Sequence, residues 1–308
     1  MRLRYLFSFL ILLGFVLTGC SAAPDGDEPQ DYDYSELEYE PASGYSDAEG
    51  HIGVGFTKYS AATYFEYELI SGHSDMEDNT PPDFIMIRTK RFSTALTELD
   101  FFGWRLSDEE IVLLRHMTNL TQLNLHSNQI SDLTPLTGLT NLTELNLSFN
   151  QISDVTPLAG LTNLTSLSMY YNQISDVTPL VGLTNLISLD LRWNQISDIM
   201  TFADLTNLIW LQLCENTINN IPPLVNLINL VTLTLYNNQI VDIATLADIS
   251  YLTNLMIVDL RNNQIVDIQP LIDLLTFTET YTMFFLLRGN PIYDCTLIEY
   301  FTNIIMWM

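Results

Sequence analysis

Positive charge is scarce in this sequence. Eleven Lys and Arg stand against 37 Asp and Glu, a formal net charge of −26. That balance argues against a nucleic-acid surface, which needs a basic footprint, and against electrostatic attachment to anionic lipid. Reactive side chains are scarce too, with three cysteines and four histidines in 308 residues. An enzyme needs an activated group with a partner in reach. H-E-x-x-H, C-x-x-C, G-x-S-x-G and phosphate-binding glycine loops are all absent. The calcium loop D-x-[DN]-x-[DN]-G with a distal Glu is missing as well. The expectation is a protein without cofactor, metal or catalysis.

An apolar run, Tyr5 to Val16, follows a short basic head formed by Arg2 and Arg4. It falls short of the roughly 20 residues that a spanning helix needs, so it reads as an export signal. The tetrad Leu17-Thr18-Gly19-Cys20 that follows resembles a bacterial lipobox. The resemblance implies cleavage before Cys20, lipid on its thiol and an extracytoplasmic protein held to a bacterial membrane by its N-terminus. Loss of residues 1–19 would carry away two arginines and move the formal charge from −26 to about −28.

Pro24 to Gly50 holds ten acidic residues and no Lys or Arg, too polar to offset the entropy of ordering. It reads as a solvated tether spanning roughly 28 Å by flexible-coil scaling. Residues 51–83 are poorly patterned and read as loose or as padding over the first coil. Residues 84–116 read as an N-terminal cap. Phe84 to Ile87 suggests a strand, and Leu96 to Phe101 mimics L-x-x-L-x-L with Trp104 at its end. Ser107 with Glu110 forms a capping box that opens a helix carrying Ile111, Leu113 and Leu114.

What the chain has in abundance is repetition. Leu139–Gly160 and Leu161–Gly182 match at sixteen of 22 positions, a duplicated structural unit. Leu145 and Leu147 share one face of a short strand, and Glu144, Asn146 and Ser148 take the other. Asn150 then ends the strand, where its side-chain amide can satisfy backbone groups that have no strand partner. One coil cannot bury its leucines alone, so coils must stack. Equivalent asparagines stand at 128, 150, 172, 194, 216, 238, 263 and 290, so the 22-residue spacing loosens to 25 and then 27. The repeated Ser-Asp pairs, such as Ser153-Asp154, follow the strand and read as turn formers.

This pattern resembles the leucine-rich repeats of bacterial internalin-like proteins over about 117–290. The resemblance implies an α/β right-handed curved solenoid with a concave parallel β-sheet of about eight strands. It also implies display outside the cell and a concave face that grips another macromolecule, often a host surface protein in that family. Within these 308 residues no immunoglobulin-like domain follows the repeats and no cell-wall sorting motif ends them, so host invasion is not carried over.

Comparison of the two near-identical coils locates the free face. Five of their six differences fall in the strand, four of them at outward positions. Stacked by register, the outward positions gather Phe149, Tyr170, Tyr171, Trp193 and Trp210 within four coils, with Tyr236, Arg192 and Arg261 nearby. Aromatics with Arg are the residue types that carry binding hot spots, and these eight are the candidate partner-binding residues. Aromatics also simply suit strands. That accounts for some of the tyrosines, but not for their absence from inward positions. Cys214 sits among these residues with no His in its own or neighbouring coils, and reads as an incidental small residue. Cys295 lies three coils on, roughly 14 Å away at the usual strand spacing. A disulfide tolerates about 7 Å between Cα atoms, so no bridge is expected.

The domain layout is thus a signal peptide (1–19), lipidated Cys20 with the acidic linker (20–50), the poorly patterned segment (51–83), the cap (84–116), the repeats (117–290) and a C-terminal cap (291–308) with a closing helix from Leu297. The expected activity is binding of a protein partner by a monomer at the cell surface. A glycan-binding face and an envelope scaffold without a specific ligand are the alternatives. Mass spectrometry of the mature N-terminus is expected to find lipid-modified Cys20; an unmodified N-terminus at another residue removes the lipoprotein reading.

Overall fold

The computed structural model describes residues 82–277 and 283–293, together with short strands at 45–46, 52–53 and 304–305. The chain divides into two compact units, residues 1–80 and 81–308. In the first, β1 (Tyr45–Ser46) pairs antiparallel with β2 (Ile52–Gly53). The expected signal peptide, Cys20, the rest of the acidic linker, most of 51–83 and the closing helix from Leu297 lie outside the described residues.

The second unit is a leucine-rich repeat solenoid. It opens with a hairpin, β3 (Phe84–Ile87) and β4 (Lys90–Ser93), that buries Ile85 and Ile87. Nine three-residue strands then stack in sequence order, every pair parallel. They are β5 (Glu98–Asp100), β6 (Gln122–Asn124), β7 (Glu144–Asn146), β8 (Ser166–Ser168), β9 (Ser188–Asp190), β10 (Trp210–Gln212), β11 (Thr232–Thr234), β12 (Ile257–Asp259) and β13 (Phe284–Leu286). β14 (Ile304–Ile305) pairs with the last of them. The cap strand β5 and the terminal strand β14 take the sheet beyond the eight strands expected. The helix opened by Ser107 is one turn, α1 (Asp108–Ile111), continued as a 3-10 helix over Val112–His116. Glu110 accepts from the Ser107 backbone N–H at 2.9 Å.

Register follows the leucines. Leu123, Leu145, Leu167, Leu189, Leu211 and Leu233 align across neighbouring strands, and each is buried. On the opposite side most coils return through a short 3-10 turn, which the segment between β10 and β11 lacks. The turn begins where an Asp accepts from the backbone N–H two residues on, as Asp154 does from Thr156 at 2.8 Å. The Ser-Asp pairs are therefore turn formers. Those bonds, from the Thr156 hydroxyl and N–H, hold the Asp154 carboxyl below its ordinary pKa. The two longer spacings are absorbed on this side. One widens the turn to Ala244–Tyr251, and the other becomes α2 (Gln269–Phe277).

The asparagine after each strand ties its coil to the one before. Asn194 Nδ2 donates to Met169 O of the preceding coil at 3.0 Å and to Leu191 O of its own at 3.1 Å. Its Oδ1 accepts from the Ile174 N–H of the preceding coil at 3.0 Å. The same bonds recur at Asn150, Asn172, Asn216, Asn238, Asn263 and Asn290. A second, exposed asparagine row runs alongside the first. Asn119, Asn141, Asn163, Asn185, Asn207, Asn229 and Asn254 each donate to a backbone carbonyl of the coil before. Its signal was the recurring L-T-N-L.

The rows differ in burial, and so they should differ in weight. Asn194→Ala orphans the buried Ile174 N–H and takes one of two donors from each of the Met169, Leu191 and Arg192 carbonyls; it should cost about 3 kcal/mol, roughly 6–12 °C in melting temperature. Asn207→Ala, in the exposed row, should cost about 1 kcal/mol. Equal melting temperatures for the two variants would contradict this ranking.

Candidate functional site

Where each strand ends, one residue before the recurring asparagine (before Trp104 in the cap coil), the backbone turns left-handed. Gly103, Ser127, Phe149, Tyr171, Trp193, Glu215, Asn237, Asn262 and Gly289 all have φ between 50° and 79°. The turn does not break the ladder. Phe149 N still donates to Tyr170 O of the next coil, and Tyr171 N to Arg192 O, both at 2.9 Å. Glycine stands at both ends, and at Gly289 a Cβ would meet Asn262 Oδ1 at 2.0 Å. Asn and Ser fill other positions at small cost, since a short polar side chain tolerates this region. Phe149, Tyr171 and Trp193 do not belong to that class. A left-handed conformation costs such residues roughly 1–2 kcal/mol each relative to glycine. Sequence alone placed the three in one lane but gave no sign of the backbone beneath them.

Their rings form a ladder. Phe149 stacks on Tyr171 with centroids 4.7 Å apart and planes 21° from parallel, and Trp193 follows Tyr171 at 6.2 Å. In the other direction His126 lies 5.2 Å from Phe149 and stacks on Phe102 at 4.9 Å. Tyr170 meets Phe149 edge-on at 5.0 Å. Tyr171 is exposed and Trp193 half-buried. Neither the Tyr171 hydroxyl nor the Trp193 indole N–H takes a hydrogen bond among the described residues. The ladder thus presents ring edges and two open polar tips.

The remaining candidates are placed differently. Arg192 is 3% exposed and forks onto Asp190, with Nε–Oδ1 at 2.9 Å and Nη2–Oδ2 at 2.7 Å; its guanidinium carbon lies 5.0 Å from the Tyr170 ring centre. Arg261 repeats the arrangement with Asp259 and Tyr236, with Nε–Oδ1 at 2.8 Å and the ring centre at 5.0 Å. Burial would lower the Arg261 pKa, but the hydrogen bonds and charge of Asp259 outweigh it and raise the pKa above its ordinary value. Each Arg is therefore part of a neutral Asp-Arg-Tyr group that stiffens the sheet face. The signal, Asp-Leu-Arg in both coils, was present in the sequence. Trp210 is exposed but lies in the lane of Ser188 and Thr232, outside the ladder.

Cys214 is disulfide-bonded, and its partner lies outside the described residues. The expectation of an unbridged thiol there is overturned. That expectation weighed strand spacing between two coils of the regular lattice, which fixes no distance to residues beyond it. His126 Nε2 lies 3.2 Å from the Tyr170 hydroxyl and Nδ1 2.6 Å from Ser127 Oγ. Both ring nitrogens thus meet hydroxyls. Among the described residues no cluster of His, Cys, Asp or Glu could hold a metal ion.

A parallel sheet one strand per coil, closed by an asparagine ladder, defines the class as a leucine-rich repeat protein. The family model for leucine-rich repeats (2 copies) matches residues 118–160, 140–182 and 162–205. Two solved structures from Listeria monocytogenes are similar over 71% of this chain. The internalin inlF shares 30% identity, with 69% of that chain covered and a TM-score of 0.59. The internalin C2 inlC2 shares 37%, with 86% covered and a TM-score of 0.55. No curated protein sequence matches. The chain belongs to the bacterial internalin-like leucine-rich repeat family.

If the left-handed lane sets the conformational cost of its aromatics, an asparagine there should be tolerated. Tyr171→Asn and Trp193→Asn are expected to melt within about 4 °C of the wild type, because relieved backbone strain offsets the lost ring contacts. A fall beyond about 10 °C in either would mean that the rings are structural.

Proposed function

We propose that this is an extracytoplasmic lipoprotein, anchored through Cys20, whose concave face binds a protein partner without catalysis. The observation that carries the reading is the placement of Phe149, Tyr171 and Trp193 at left-handed positions. Bulky side chains persist in such conformations where something other than stability retains them. Membership of the internalin-like family supports a protein-binding surface. The lipobox-like tetrad supports the anchor and extracytoplasmic location.

The ladder favours a protein over a glycan on this face. Sugars stack on open ring faces, and here the facing rings of Phe149 and Tyr171 cover each other. What remains is edges, a phenol and an indole N–H, which suit carbonyl, carboxylate and apolar groups of a protein surface.

Screening the full chain against protein and glycan arrays is expected to return a protein. For that partner, Trp193→Asn and Tyr171→Asn should each weaken binding about thirtyfold or more, and Ser153→Ala, in the exposed turn, should leave it unchanged. Equal affinity for all three variants would place the contact elsewhere. Failure to bind any protein would favour an envelope scaffold.

A further inference from the structure

A second surface lies beside the sheet, on the flank where each coil enters its strand. A shallow groove of about 430 Å³ runs across four coils there. One wall is the exposed asparagine row from Asn163 to Asn229, and the other is formed by Thr165, Ile187 and Ile209. Three features set it apart. The lining contains no charged residue, in a chain of net charge −26. Its amides recur once per coil, near the strand spacing of about 4.8 Å. Its second wall changes character along the chain. Thr121, Thr143 and Thr165 each bond a carbonyl of the preceding coil, but the next equivalent residues are Ile187 and Ile209. Nothing in coil stacking requires the change, since threonine serves three coils, and Ile187 is left 37% exposed.

We propose that this groove binds a linear, uncharged β-1,4-linked polysaccharide. Such a chain is an extended ribbon whose advance per sugar is close to the coil spacing, so successive residues can meet successive amides in register. A pyranose ring has a hydroxyl-bearing rim and an apolar face, and the groove offers a carboxamide row beside an aliphatic one. Each amide in the row gives one Nδ2 hydrogen to a backbone carbonyl, which fixes its orientation and leaves its Oδ1 as an acceptor. Trp210, next in sequence to Ile209, is 38% exposed and lies outside the ring ladder. The absence of charge fits a neutral polymer and gives an anionic or cationic one nothing to pair with.

The test uses the full chain and cellohexaose, with maltohexaose as the α-linked control whose curved chain falls out of register. Cellohexaose should bind, maltohexaose should bind at least tenfold more weakly, and hydrogen exchange should slow on cellohexaose addition around residues 185–209. Ile187→Asp with Ile209→Asp should reduce cellohexaose affinity at least tenfold, at positions exposed enough for the fold to survive. If that variant unfolds, the exchange map on the wild type decides. Trp193→Asn should leave cellohexaose binding unchanged, which separates this site from the protein-binding lane. No binding of cellohexaose, equal binding of maltohexaose, protection confined to other coils, or loss of binding on Trp193→Asn would each overturn the proposal.

Discussion

Each coil leaves backbone groups that its own chain cannot satisfy, and one buried carboxamide per coil resolves this. Asn194 serves two coils at once, and its counterparts do the same along the stack. Buried leucines supply the driving force, but leucine packing is non-directional and tolerates sliding. The asparagine fixes the distance and register of each coil on the last. It therefore sets the strand alignment, the straightness of every lane on the sheet and the spacing of the rings that stack along one of them.

The same device explains why the sheet face can carry unusual residues. The buried asparagine and the cross-coil N–H bond hold the preceding residue left-handed whatever its side chain. Glycine, serine, asparagine, glutamate and three aromatics all occupy that position in this chain. Conformation is imposed by the lattice, and side-chain identity is left to other demands. The Asp-Arg-Tyr groups show the complementary behaviour, in which charges on the same face are neutralised locally and contribute rigidity.

Much of this was legible in the sequence. The leucine alternation, the asparagine spacing and the turn-forming Ser-Asp pairs follow from needs that recur identically in each coil, so repetition exposes them. The lane containing Phe149, Tyr171 and Trp193 was legible for the opposite reason, since it varies where its surroundings do not. Backbone conformation was not, because seven different residue types at one lane conceal a shared φ. The hairpin strand Lys90–Ser93 was missed since its side chains are mostly exposed and show no alternation. The fate of Arg192 depended on a neighbour two residues away. The register that brings Arg192 and Arg261 near the aromatics does not single out Asp190 and Asp259, which pair with them.

The direction of the asparagine bonds gives the solenoid a chemical polarity. Each coil has an N–H answered only by the asparagine of the coil that follows, as Ile265 N is answered by Asn290. The last regular coil departs from the pattern. Ile292 N, its equivalent group, turns back to Asn290 O at 2.9 Å, and Pro291 carries no N–H where Gln264 donates to Ile240. A coil stacked after Asn290 would find the Ile292 N–H already used, although β14 still pairs with β13, whereas a unit inserted between two regular coils finds both of its faces matched. Growth of such a chain is intercalary. It lengthens from within, and every insertion shifts all that lies on one side by a single strand spacing.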